Sequence, residues 1–432
     1  MIHRRRDYAL LAAACALPRA AALIYDRADM LPRTGGSVEK SDLIARIFLD
    51  SGTFGFVPTS PTAYTQPLYA WFMIAVYWVG ERHWWSLGSA QIAVAVATAL
   101  LVYEIGRRFF SRRIGVLAAL IATLQPYLIW HDVHANREIL DQVLGAGMFL
   151  LALLVAERRT WPAYLGVVVG VAILSNSRLI LLPLALGGYL LWRRVGWRVA
   201  VIVPVVAALT VVPWVIRNKE EVGCWSLTTD ARALWKANNI NTYATLSSGQ
   251  WIDNVPDIPN RPRNPQEAYY KYSQDGIDWY RNPEPGRAAI DECAQQSYYQ
   301  HLVVQFLEHH PGEKLKLMGQ ATLMLWEPTV TADGASAGEP ASTGTVHTLR
   351  HLAAPVYLIP LYILALIGLF FVTPAFRALA LIFLGYETLA AWLFAGTMRY
   401  RVPWDFVLAL LAAVALTKLP LLKRVRSPSQ NL

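Results

Sequence analysis

"YTQPLYAWFMIAVYWVG", residues 64–80, decides how the chain is threaded. The stretch is apolar enough to cross a bilayer. It also carries Tyr64, Tyr69, Trp71, Tyr77 and Trp78, amphipathic rings that settle at the headgroup level. We take the N-terminal "MIHRRRDY" as cytoplasmic. If 64–80 crosses, parity puts "RRFFSRR" (107–113), "ERRTW" (157–161) and "WRRVGWR" (192–198) outside. If it lies along the interface, all three basic turns fall inside, together with "TPAFR" (373–377) and the tail "KLPLLKRVRS" (418–427). Lys/Arg bias in short loops is the strongest orientation signal a sequence holds. The interfacial reading follows, with both termini inside.

The rest of the composition agrees with a bilayer as solvent. The 432 residues are 55% hydrophobic, 12% aromatic and 16% charged, where soluble domains carry about a quarter charged residues. Ten apolar runs read as spans: 8–25, 86–105, 113–131, 138–156, 161–175, 178–192, 197–217, 353–372, 375–395 and 403–420. The expected fold is an all-α polytopic membrane protein with amphipathic juxtamembrane helices and an exoplasmic insert. Residues 1–217 form an N-terminal transmembrane module with a first outer loop at 26–85, 218–350 the insert, and 351–432 a C-terminal transmembrane module. The net charge of +9 sits at the ends of apolar runs. No basic stripe with interleaved aromatics is present, which excludes nucleic acid. The first apolar run lacks a small-x-small cleavage site and reads as a retained helix.

This threading gathers the unusual polar residues on the outer face. Within the first loop, "SVEKSDLIARIFLDSG" has a Ser cap, acids in its first turn and apolar Leu43, Ile44, Ile47 and Phe48, an amphipathic helix ended by Gly. Glu39 and Asp42 share one face at its start, where a carboxylate can take a proton from an incoming hydroxyl; complementing the helix dipole is the plainer role. "TMRYRVPWDF" places Arg399 and Arg401 around Tyr400 at a membrane boundary. Permanently charged forks of this kind suit phosphate. Arg178 in "LSNSRLI" repeats the argument with one charge.

"HDVHANREI" (131–139) forms a polar turn between apolar runs. His131, Asp132 and His134 lack the further ligands a metal site needs. The turn reads instead as a wall of an outer cavity, with His131 and Glu138 facing it and Arg137 suited to an anion. "LWKANNINTY" (234–243) pairs Trp235 with Asn238 and Asn239, a ring-plus-amide chemistry used for sugars but also common in turns. In the insert, "HLVVQFLEHHPGEKLKLMGQATLMLW" (301–326) reads as two helices broken at Pro311–Gly312, and 330–347 as a small-residue linker expected to be mobile. Cys15 is packing. Cys224 and Cys293 lie in the insert, and the sequence leaves open whether they are bridged.

In order along the chain stand an acidic first outer loop, an "IAR" helix followed by "DSGTF", then "QPLYAWFMIAVYWVG", "EIGRRFFSRRIGVLAAL", "NREIL", "LSNSR", "ALWKANN" and "RYRVP". Together they resemble the GT-C polyprenyl-phosphate-dependent glycosyltransferases, such as protein O-mannosyltransferases and the lipid A aminoarabinose transferase. The resemblance implies a polyprenyl-phosphate-linked sugar donor bound from the outer leaflet of the plasma (inner) membrane. The sugar would pass to a glycan, lipid or protein acceptor by an inverting displacement with a carboxylate base. With such a donor, the residues expected at the phosphate are Arg178, Arg399, Arg401, Tyr400 and Arg137. Those expected at the sugar or acceptor are Glu138, His131, Trp235, Asn238 and Asn239. Relatives carry an acid where the "IAR" helix begins; here that place reads "GGSVEK", so the base falls to Glu39, with Asp42 and Asp26 as rivals. "QPLY" replaces a Pro-Pro or Lys-Pro of many relatives, which weakens Gln66 as a phosphate ligand. No metal ligand is assigned; a divalent cation as cofactor stays open. The alternatives are a transporter or a ligase- or flippase-like protein for lipid-linked glycans.

Overall fold

A computed structural model describes residues 2–27, 31, 40–258, 290–329 and 345–419. In chain order its helices are α1 (Ile2–Tyr25), α2 (Lys40–Ser51), α3 (Pro67–Gly80), α4 (Trp84–Phe109), α5 (Arg112–Thr123), α6 (Pro126–His131), α7 (Glu138–Ala156) and α8 (Pro162–Ser175). There follow α9 (Leu182–Trp192), α10 (Trp197–Glu221), α11 (Ala231–Lys236), α12 (Thr242–Ser247), α13 (Glu292–His309) and α14 (Pro311–Trp326). The C-terminal part contains α15 (Thr345–Gly368), α16 (Pro374–Leu393), α17 (Met398–Arg401) and α18 (Asp405–Lys418).

The protein is an all-α, multi-pass membrane protein. Among the described residues, six helical segments are long and apolar enough to cross a bilayer: Arg4–Tyr25, Trp84–Phe109, Glu138–Ala156, Trp197–Glu221, Pro374–Leu393 and Met398–Lys418. Shorter apolar helices occupy Pro67–Gly80, Pro162–Ser175, Ser177–Trp192 and Leu352–Gly368. The run at 113–131, expected as one span, is two helices. Pro126 lacks an N–H and disfavours the α conformation at Gln125, so α5 stops at Thr123 and α6 restarts at the proline.

Helices α7 and α18 form the centre. Residues Phe406–Ala415 of α18 are buried on every side, the pattern of a helix enclosed by others. Around α7 the Phe149 ring meets Phe376, Phe383 and Phe406 edge-on at 5.2, 5.2 and 5.8 Å. Helices α4 and α5 close to backbone contact through Gly106 and Gly115; a Cβ on Gly106 would lie 2.6 Å from the Gly115 Cα.

The bundle has two chemically distinct ends. At one, Glu104 binds Arg107 and Arg108 at 2.7 and 2.8 Å, and Asp7 binds Arg112 at 2.6 Å. A cavity there is lined jointly by the ends of α4, α7 and α9 and the start of α16. The basic turns at 107–113, 157–161 and 192–198 and the start of α16 therefore share this end. The other end carries the 131–137 turn, α2 and the insert.

Helix α3 is tied at both its ends to the second end of the bundle. At its start, Gln66 donates to Ser177 Oγ (2.8 Å) and accepts from Arg137 (2.6 Å). Past its last residue, Arg82 binds Asp42 in α2 at 2.8 and 2.9 Å, and Ser86 donates to the Gly80 carbonyl. In its first turn, Tyr69 donates to Gln91, which donates in turn to the carbonyls of Asp132 and His134 in the 131–137 turn. Fourteen residues span about 21 Å as a helix, less than the ~30 Å hydrocarbon core. Both helix termini lie in one layer.

The insert is pinned to that layer. Glu292 accepts from Thr62 Oγ1, the Ala63 N–H (3.0 Å) and Thr229 Oγ1 (2.8 Å). A disulfide joins Cys224 to Cys293, closing the question the sequence left open. Helices α13 and α14 meet at Pro311 as the sequence suggests. Residues 330–344 of the linker lie outside the described residues.

Candidate functional site

The site is assembled from three breaks between helices. "HDVHANREI" is tied by its own asparagine: Asn136 donates to the His131 carbonyl and, at 2.9 Å, to that of His134, while its oxygen caps the Ile139 N–H at 3.2 Å. This turn ends α6 and aims Arg137 and Glu138 from the start of α7. A second break, at Asn176 between α8 and α9, presents Arg178. The third is "GTMRYRVP"; Gly396 lies against the Ala321 carbonyl of α14, where any side chain would collide, and α17 follows with Arg399.

These segments bring Arg137, Arg178 and Arg399 together. Arg399 makes a two-pronged bridge to the buried Glu138, at 2.8 and 2.9 Å. His131 Nε2 is 3.8 Å from the same carboxylate and stacks on Tyr127. Arg137 Nε stands 3.7 Å from Glu138, and its Nη1 reaches Gln66 at 2.6 Å. Burial alone would lower the Arg137 pKa, yet Glu138 and Asp141 hold it above the ordinary guanidinium value. It stays charged.

Arg178 is held on three sides. Its Nε donates to Asn176 Oδ1 at 3.1 Å, its guanidinium sits 3.8 Å over the Tyr400 ring, and its carbonyl accepts from Tyr386 at 2.7 Å. Asn176 is fixed by Asp141, which also accepts from Ser175 at 2.7 Å. Nη1 of Arg178 has no hydrogen-bond partner among the described residues and approaches Glu387 only to 3.8 Å, although the side chain is 5% exposed. A buried guanidinium nitrogen without a partner is costly. It is the feature here that most directly asks for a ligand.

Other residues singled out in the sequence are placed differently. Arg401, next but one to Arg399, is fully buried. It binds Asp405 at 3.0 and 3.3 Å and donates to the Leu325 and Glu327 carbonyls, with Tyr362 beside it. Its donors are spent on holding α14 to α18, and phosphate has no access. Asp42 is fully buried between Tyr77 (2.8 Å) and Arg82, whose pKa it raises through their hydrogen bonds. That pair locks α2 to α3. The buried stripe of α2 is Ser41, Asp42, Ile44 and Ala45, and Phe48 is exposed, so the helix is rotated from the apolar face expected. Asp26 is 3.5 Å from His134 Nε2. Glu39 lies outside the described residues.

Trp235, Asn238 and Asn239 do not form an open sugar platform. Trp235 packs on Tyr299 inside the insert. Asn238 donates to the Leu234 and Leu393 carbonyls and accepts from Lys314, while Asn239 donates to the Trp235 carbonyl. They fasten the insert to α16. Asp132 is likewise structural, bound by Arg19 at 2.8 Å and by Gln142 at 2.7 Å. Among the described residues no three His, Cys, Asp or Glu side chains converge as metal ligands.

Lys314 also donates to the Trp392 carbonyl at 2.5 Å, and burial lowers its pKa from 10.5 to about 8. Below pH 8 it is protonated folded and unfolded alike. Between about 8 and 10.5 only the unfolded chain keeps the proton, so stability rises with pH through that window. The melting temperature of wild type relative to Lys314→Met is expected to climb from pH 8 to 10.5; a constant difference contradicts it.

Gln66 and Glu387 carry more of this cluster than sequence reasoning gave them. Gln66 stands where many relatives have Pro or Lys, a weak phosphate ligand by type, yet it bridges Arg137 to Ser177 across three chain segments. Glu387 is a carboxylate inside the apolar run 375–395, which is the signal the sequence holds for it, and it lies 3.8 Å from Arg178.

Comparisons with known proteins bear on this arrangement. Residues 60–216 match the sequence profile of the dolichyl-phosphate-mannose-protein mannosyltransferase family. The solved oligosaccharyltransferase AglB from Archaeoglobus fulgidus, in complex with an inhibitory peptide and a dolichol-phosphate, superposes with a TM-score of 0.53 at 15% identity, covering 98% of this chain. The chain has the GT-C fold. The apo form of the Archaeoglobus fulgidus oligosaccharyltransferase gives a TM-score of 0.51 at 16% identity over 97% of this chain. The chain spans about half of each, 52% and 51%. ArnT from Cupriavidus metallidurans bound to undecaprenyl phosphate gives a TM-score of 0.41 at 16% identity, covering 93% of this chain and 77% of ArnT. No curated protein sequence matches. The profile match, which includes Gln66, Arg137, Glu138 and Arg178, supports sugar transfer in general.

Proposed function

We propose that this GT-C chain transfers a sugar from a polyprenyl-phosphate donor to an acceptor on the outer face of the plasma membrane. Helix α3 rests along the outer rim, the basic end faces the cytoplasm, and the disulfide Cys224–Cys293 sits in the oxidising compartment where such bridges persist. The observation that carries the reading is that Arg137 and Arg399 share Glu138 while Arg178 stacks on Tyr400, the neighbour of Arg399, with one nitrogen of Arg178 left without a hydrogen bond among the described residues. A dolichol-phosphate is bound in the AglB structure whose fold this chain shares. A monophosphate of that kind would be the leaving group here.

In the reaction, the acceptor hydroxyl oxygen attacks the anomeric carbon from the face opposite the phosphate. The bond from that carbon to the phosphate oxygen breaks, and the phosphate leaves with the electron pair. Arg178, stacked on Tyr400, receives the developing charge, with Arg137 and Arg399 beside it. Preorganised charges of this sort supply several kcal/mol because they need no reorientation as the bond breaks. The hydroxyl proton passes to a carboxylate. We assign that role to Glu39 ahead of Asp26, which faces His134, and of Asp42, whose oxygens are occupied by Arg82 and Tyr77. Glu138 and His131 hold Arg399 in position, and Gln66 does the same for Arg137.

Purified protein given a polyprenyl-phosphate sugar and an acceptor glycan is expected to release polyprenyl phosphate and form product of inverted anomeric configuration, read by NMR. Glu39→Gln should lower the rate about 10²-fold or more. Retained configuration removes the single displacement, and a normal rate in Glu39→Gln removes the assigned base.

A further inference from the structure

The basic end of the bundle holds a polar cavity of about 160 Å³, apart from the arginine cluster. Its wall includes Arg108, Arg159 and Arg193 from the ends of three different helix connections, with Glu157, Tyr189 and an apolar floor at Phe376. Positive-inside anchoring explains arginines on such turns but not a cavity between them. Two details point to a ligand. Tyr189 is 2% exposed, and its hydroxyl has no hydrogen-bond partner among the described residues. Buried hydroxyls are ordinarily satisfied, and leaving one unpaired costs free energy. Arg193 has no carboxylate within ion-pair distance among the described residues, whereas Arg159 is matched by Glu157 at 3.1 Å and Arg108 by Glu104 at 2.8 Å.

The volume corresponds to roughly five waters of liquid, room for a phosphate and its ester carbons. The same turns expose Trp161, Trp192 and Trp197, rings that mark the headgroup level of a bilayer. Basic pockets between helix ends at that depth hold anionic lipid headgroups. We infer that this cavity binds the phosphate of an anionic phospholipid at the basic face, with Arg193 and Arg159 on the phosphate oxygens, the Tyr189 hydroxyl donating to one of them, and the acyl-linked carbons over Phe376. The site lies at the opposite end from the Arg137–Arg178–Arg399 cluster and does not depend on the sugar-transfer reading.

The test uses the full chain, with phosphatidylglycerol, phosphatidylcholine of equal acyl chains, and inorganic phosphate as separate probes. In native mass spectrometry, phosphatidylglycerol adducts should survive where phosphatidylcholine adducts are stripped. Arg193→Gln should weaken phosphatidylglycerol retention about fivefold, while Arg198→Gln, on the same face but outside the cavity wall, should leave it unchanged. Tyr189→Phe keeps the ring and should also weaken it, a check that stands if the arginine variant fails to fold. Equal retention of the two lipids, equal effects of Arg193→Gln and Arg198→Gln, or inorganic phosphate displacing the lipid at stoichiometric concentration would each overturn the assignment.

Discussion

Arg178→Gln is expected to weaken binding of polyprenyl phosphate by about 10- to 100-fold and to lower the transfer rate about 10²- to 10³-fold. The first figure is the loss of one or two hydrogen bonds to a charged group; the second is the usual effect of removing a donor aimed at developing negative charge. Asn176 and Tyr400 hold the guanidinium before any ligand arrives, and Tyr386 holds the Arg178 backbone carbonyl, so little ordering entropy is left to lose on binding. Arg178→Lys should rescue poorly, because an ammonium can neither fork nor stack on Tyr400 in the same way. The substitution also strands Glu387, its partner at 3.8 Å. Arg178→Gln/Glu387→Gln is therefore the informative comparison: it should recover melting temperature without recovering transfer. Recovery of both would reduce Arg178 to a structural role.

Arg401→Gln should behave in the opposite sense, costing about 3–5 kcal/mol of stability, the usual penalty for leaving a buried charge without its partner. Asp405 would keep only the hydrogen bond from Gln125 at 2.9 Å. The Leu325 and Glu327 carbonyls would lose their donor, loosening α14 from α18. Replacing both partners with apolar residues, Arg401→Leu/Asp405→Leu, should restore much of the loss, since an apolar pair avoids the desolvation of two ions. Thermal unfolding checks the first effect. The affinity of folded protein for polyprenyl phosphate should change by less than about threefold. A large affinity loss at unchanged melting temperature would return Arg401 to the phosphate site.

The contrast between these two arginines shows where sequence reading stops. "RYR" announces two guanidinium groups at a boundary, and nothing in the string says that one faces Glu138 and the other Asp405. That choice is made by helix phase: Arg401 and Asp405 lie one turn apart, while Arg399 is turned toward α7. Long apolar runs were legible because a bilayer demands length and hydropathy, and they mark six of the helices directly. The fate of Asp42 was not legible, because its partner Arg82 comes from beyond another helix. The same holds for Trp235, Asn238 and Asn239, whose sugar-like chemistry serves packing against α16. The break at Pro126 was readable from the residue itself and was outweighed by the apolar run around it.

Everything in the catalytic account requires the arginine cluster and the basic turns to face opposite sides of the membrane. Labelling single cysteines with an impermeant thiol reagent in intact cells measures this directly, one placed at Arg113 and another at Tyr243 in the insert, in a Cys15→Ala background with the disulfide kept. Position 243 is expected to react in intact cells, and position 113 only after the membrane is opened. Reaction at position 113 from outside would contradict it.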